Sequence, residues 1–133
     1  MNEFKLSLGV REYTIPGGGV LRFNPTDPNI YANFLDSQKQ LETIHKSFQK
    51  KAKAAKDGAA VLQLLQEADR ALKALLGDIF PGNDFHRALG GVNLLALCGD
   101  GRTVAEHLLT ALEEILTAGA KELATKEAQN LLQ

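Results

Sequence analysis

Four side chains in this 133-residue sequence could hold a metal or act as a nucleophile: His45, His86, His107 and the single cysteine, Cys98. A structural zinc site takes four ligands in tight local pairs. These four follow one another at intervals of 41, 12 and 9 residues, so they read as surface or interface histidines and an unrelated cysteine. A nucleophilic Cys98 would need its thiolate held by a nearby cation or a helix start. Its neighbours Leu94, Leu95, Ala96 and Leu97 predict burial in the core instead. Gly99-Asp100-Gly101-Arg102-Thr103 leads into a helix start, where free backbone donors favour phosphate. The stretch lacks the G-x-x-x-x-G-K-S/T spacing and its lysine, and Asp100 would repel an anion. A turn followed by a helix cap explains every residue there. Gly17-Gly18-Gly19 reads as a hairpin turn, because no helix follows it directly. Glu113 and Glu114, adjacent on a helix, point in different directions and form a solvated face rather than an acid/base pair. No catalytic, cofactor-binding or metal-binding residue is assigned, and a non-enzymatic protein without a cofactor is expected.

Composition frames that expectation. One domain is the ordinary content of this length, and 44% hydrophobic with 23% charged residues is a globular composition. Sixteen acids against fifteen bases leave a net charge of -1, so no global field draws in nucleic acid or an anionic membrane. The charge is uneven along the chain. Residues 39–56 hold six lysines (Lys39, Lys46, Lys50, Lys51, Lys53, Lys56) against Glu42 alone, while residues 57–133 carry eleven acids and six bases. The basic stretch includes no arginine cluster and only Phe48 to stack on a base. Nucleic acid is therefore the less favoured partner, and a salt-sensitive contact between subunits is the more economical use of the asymmetry. A lone cysteine, the lack of an apolar run of membrane-spanning length and the lack of a secretory leader predict a soluble protein of a reducing cytoplasm.

The elements that would carry these residues follow from periodicity. Phe4, Leu6, Leu8 and Val10 share one parity and are followed by Tyr13 and Ile15, then by Leu21 and Phe23. Period two, interrupted by Pro16-Gly17-Gly18-Gly19, predicts an antiparallel hairpin or three-stranded meander over residues 4–23. Thr26-Asp27-Pro28 is a helix start. Ile30, Phe34, Leu41, Ile44, Phe48, Ala52 and Ala55 then predict one helix of about 28 residues, roughly 42 Å long. Phe34, Leu41, Phe48 and Ala55 lie seven apart, a stripe suited to a partner helix in this chain or another. After Asp57-Gly58, a second helix through Val61, Leu64, Leu65, Ala68, Leu72, Leu75 and Leu76 is expected to fold back on the first and to end at Gly77 in a left-handed cap. Asp84 caps a short helix ending at Gly90-Gly91, and the apolar run from Val92 to Cys98 is expected to be buried. Thr103 and Glu106 form a capping box for a last helix with Val104, Leu108, Leu112, Ile115 and Leu116 on one face, loosening near Gly119.

Two stretches, FNPTDPNIYANF (residues 23–34) and FPGNDFHRALGG (residues 80–91), resemble the small tail assembly chaperones encoded in phage and prophage tail modules of Gram-positive bacteria. Those proteins similarly join an N-terminal hairpin to a long helix, a second helix, a glycine-rich segment and a last helix. Pro81 and Leu89-Gly90-Gly91 depart from their commoner pattern. The fold expected is α+β, a single domain over residues 1–133: a hairpin region at 1–25, a bundle of three main helices within 26–118, and a mobile helix or tail at 119–133. The resemblance implies a non-enzymatic protein of the bacterial host cytoplasm, homo-oligomeric, that coats the tape-measure protein, with the tail tube protein as a further contact. Its expected partner surfaces are Phe34, Leu41 and Phe48, with Leu108, Leu112 and Ile115. The rival readings are a structural head-tail connector or tail-completion protein, and a small nucleic-acid-binding regulator acting through Lys46, Lys50, Lys51, Lys53 and Lys56.

Overall fold

The structure, a computed structural model, describes residues 2–132. It is α+β: a two-stranded antiparallel hairpin followed by helices. Strands β1 (Arg11–Thr14) and β2 (Val20–Phe23) pair with Tyr13 opposite Leu21. The turn between them needs two left-handed residues, supplied by Gly17 and Gly18 at φ 103° and 104°. The strand expected from residue 4 begins only at Arg11. Residues 4–10 join no strand among the described residues, held only by the Leu8 carbonyl's bond from Asn24 Nδ2, and Phe4, Leu6, Leu8 and Val10 are 90%, 64%, 70% and 54% exposed. Period two predicts a strand only where an apolar face finds a cover, and within a single copy the arm's apolar side chains stay exposed.

Asp27 caps α1 (Pro28–Asp36), its carboxylate accepting from the Asn29 amide. The single long helix expected here is divided at Ser37 into α1 and α2 (Gln38–Ala54). The Phe34 carbonyl accepts from Ser37 Oγ at 2.7 Å and from Gln38 Nε2 at 3.1 Å, so side chains compete for a backbone acceptor of the ladder. Asp57 caps α3 (Gly58–Ile79) by accepting from the Ala60 amide, and α3 folds back against α2 as expected. Gly77 is not the cap. The helix continues for two residues, because Leu76 and Ile79 are both core positions.

Asp84 caps α4 (Phe85–Ala88) as expected. Residues 92–98 form turns rather than a buried run: Leu94 is fully buried, but Val92 and Leu97 face solvent and Cys98 is half-buried. Within these turns Leu94 alone is a buried core residue, while Val92, Ala96 and Leu97 stay exposed. Thr103 accepts from the Glu106 amide at 3.1 Å to start α5 (Val104–Leu132). Only half of the capping box forms, since the Glu106 carboxylate pairs with Arg102 at 3.1 Å. Helix α5 runs unbroken through Gly119, where loosening was expected, and residues 119–132, for which a mobile helix or tail was expected, continue the helix.

An aromatic series joins hairpin to helices. Tyr13 stacks on Phe23 at 4.8 Å between ring centroids, Phe23 meets Phe80 at 4.7 Å, and Phe80 meets Phe85 at 5.9 Å. Around it lie Leu21, Leu72, Leu76, Leu94, Leu112 and Leu116. A two-stranded hairpin is marginal alone, and this series supplies the apolar cover it needs.

Candidate groove beside strand β1

The hairpin has two outer edges, and the molecule treats them differently. On the β2 side, Asn83 takes both backbone groups of Arg22. Its Oδ1 accepts from the Arg22 amide at 2.8 Å, and its Nδ2 donates to the Arg22 carbonyl at 2.9 Å. A side-chain amide thus occupies the position of a third strand. On the β1 side there is no such cover among the described residues, and the strand borders an apolar groove of about 900 Å³.

One wall of the groove is residues 12–16, with Tyr13 and Ile15 turned inward; the other is α5, through Val104, Leu108 and Ile115. Val92 and Cys98 line the end near the 99–101 turn. The opposite end of β1 is tied to α5 by Arg11, whose Nη2 donates to both Glu122 oxygens at 3.0 Å, and the carboxylate raises the Arg11 pKa. The pair is half-exposed, so its role is to set register rather than to supply much stability. At the mouth, Asp100 accepts from the Arg102 amide at 3.0 Å and meets His107 Nε2 at 2.8 Å. The Arg102 amide, with a smaller contribution from His107, lowers the Asp100 pKa.

The expected partner surfaces are distributed unequally. Phe34 and Leu112 are core residues. Leu41 and Phe48 are half-buried, and Ile44 and Phe48 border a hollow against Leu64 and Ala68 of α3; much of that stripe is spent inside the chain. Leu108 and Ile115, by contrast, are half-buried groove residues. The β1 wall was not among the expected surfaces, and its only signal in the sequence is the pairing of Tyr13 with Ile15 on one parity.

The other candidates separate. His45 is exposed on α2, His86 contacts Lys73 and His107 contacts Asp100. Among the described residues, no group of three or more His, Cys, Asp or Glu side chains converges as a metal site would require. Glu113 and Glu114 are both exposed. Gly17-Gly18-Gly19 borders a second hollow of about 660 Å³ with Arg22, Asp84 and Arg87. Of the basic cluster, Lys46 pairs with Glu42 at 2.7 Å, which lowers the Glu42 pKa. Lys50, Lys51, Lys53 and Lys56 are exposed. With 3.6 residues per turn, Lys39, Lys46, Lys50 and Lys53 share one side of α2, opposite the Leu41, Ile44 and Phe48 side.

Among the described residues, no helix is long and apolar enough to cross a membrane. No family model, curated protein or solved structure matches the chain.

Proposed function

We propose that this chain is a non-enzymatic assembly chaperone of a phage tail that covers apolar helical segments of the tape-measure protein. The observation that carries the reading is the apolar groove between β1 and α5, about 900 Å³ in volume. A long helical client exposes apolar stripes that aggregate unless covered. An amphipathic helix laying such a stripe into a groove is a common mode of recognition. Leu108 and Ile115, seven residues apart on α5, offer a helix-spaced pair of contacts, and Val92 adds an exposed apolar contact at the groove's end. Each contact is modest, so many copies along one client would hold it by multivalency yet release it as tail tube subunits arrive.

Affinity purification of a tagged copy from cells producing the tail module, followed by mass spectrometry, tests the reading. The tape-measure protein is expected in the eluate, with at least a tenfold loss for the Val92→Lys, Leu108→Lys double variant. Recovery of connector or head proteins without tape measure would make the chain a structural component. Recovery of nucleic acid alone would transfer function to the α2 lysines.

A further inference from the structure

The arm at residues 4–10 and the groove beside β1 are complementary, and both belong to one chain. The arm carries apolar side chains at every second position, the pattern of a strand with one buried face. They are exposed. The groove presents the complementary requirement, an uncovered strand edge beside an apolar wall. Open edges of this kind accept an added strand through main-chain hydrogen bonds, with alternate side chains entering the groove.

Lengths and charges agree. Residues 11–15, which face residues 4–8 when Leu6 lies opposite Tyr13, extend about 14 Å at ~3.4 Å per residue, the same span. In an antiparallel register with Leu6 opposite Tyr13, Phe4 lies opposite Ile15, so both enter the apolar side. Lys5 then lies opposite Thr14 and diagonal to Glu12, whose carboxylate already pairs with Arg22 at 2.9 Å and can take a second cation from a long side chain.

The arm is held away from its own groove. The Leu8 carbonyl accepts from Asn24 Nδ2 at 2.7 Å, and Asn24 follows β2, on the far side of the hairpin from the open edge. Gly9, at φ 69° and where a Cβ would lie 3.2 Å from Asn24 Nδ2, sets that direction. The arm also leaves β1 at Arg11, the end farthest from Ile15 and Pro16.

We propose that residues 4–8 of one copy add as an antiparallel strand to the open β1 edge of a second copy, with Phe4 and Leu6 in the β1–α5 groove. The contact requires no client. Arm and client would compete for one surface, so self-association would protect the groove until a client displaces the arm.

The native Cys98 at the groove end provides the test. A Glu3→Cys, Cys98→Ser copy is mixed with the parent chain and treated with a short bis-maleimide, and the products are mapped by mass spectrometry. Because each copy has one thiol, a link between position 3 and Cys98 forms only between chains. The expected result is that this link predominates and falls at least tenfold when Leu6→Asp is added to the arm. Sedimentation is expected to show concentration-dependent association of the parent, weakened at least tenfold by Phe4→Asp, Leu6→Asp. Both arm residues lie outside the core, so an unchanged far-ultraviolet circular dichroism spectrum is expected of every arm variant. A parent that stays monomeric at high concentration overturns the proposal. So does a Glu3→Cys chain retaining Cys98 that links mainly within itself at concentrations where sedimentation shows the parent associated. Failure to capture tape measure, with the cross-link intact, would remove the chaperone reading and leave the arm exchange standing.

Discussion

Asp69 and Lys73, one turn apart on α3, form an ion pair of 2.9 Å in which each residue is only 7% exposed. The pair is a junction. The second Asp69 oxygen accepts from the Leu94 amide at 2.8 Å, and Lys73 Nζ lies 2.8 Å from His86 Nδ1. It thereby fixes the 92–98 segment and α4 on α3, and with them the end wall of the groove.

Asp69→Ala leaves a buried cation with no counter-charge, at a cost of about 3–5 kcal/mol. Urea denaturation is expected to show that loss. Lys73→Met in the same chain is expected to recover part of it, because the buried charge is gone. Recovery stays incomplete, since the Leu94 amide has still lost its acceptor.

Gly119 and Gly77 make an opposed pair. Alanine in a helix is favoured over glycine by about 1 kcal/mol. A Cβ at Gly77 meets only the Asn83 carbonyl oxygen at 3.7 Å, an ordinary contact, whereas one at Gly119 would fall 1.9 Å from the Pro25 carbonyl oxygen. Gly77→Ala is expected to raise the melting temperature. Gly119→Ala is expected to lower it, through a loss of about 1–3 kcal/mol of stability to overpacking, as α5 is pushed off Pro25.

Asp100 makes the groove mouth sensitive to acid. Its carboxyl is held below the usual aspartate value by the Arg102 amide and His107, so ionisation favours the folded turn at neutral pH. That contribution is lost as pH falls through ~3.9 and then through the lower folded-state value. The group is exposed, so the effect is local. The Arg102 amide resonance is expected to titrate below about pH 4 in the parent and to be flat over that range in Asp100→Asn, which keeps an oxygen acceptor but has no proton to gain.

The lysines of α2 test the division of labour between helix and groove. Lys50→Glu, Lys51→Glu, Lys53→Glu removes basic charge from the last turn of α2, where Lys51 and Lys53 favour the helix dipole by about 0.3–1 kcal/mol each. A fall in stability of that order is expected by thermal denaturation. Client capture is expected to stay within twofold of the parent, because none of these residues lines the β1–α5 groove.

Local chemistry carried much of this fold, and its elements were legible in residue order. Asp27, Asp57, Asp84 and Thr103 each satisfy a backbone amide two or three positions ahead, and Pro16 to Gly19 turns the chain within four residues. Such interactions depend only on near neighbours, so the sequence by itself determined the hairpin turn, the helix starts and the return of α3 on α2. What lies between distant residues was decided by tertiary structure. Gly119 is a close approach rather than a weak point because Pro25, ninety-four positions earlier, rests against it. The arm and the groove are the clearest case. Alternation at residues 4–10 states that one face seeks cover, and helical spacing in α5 states that Leu108 and Ile115 share a face, but neither pattern encodes where β1 lies relative to α5. The packing of the aromatic series and the Arg11–Glu122 contact set that distance, leaving one strand edge open and its apolar wall uncovered.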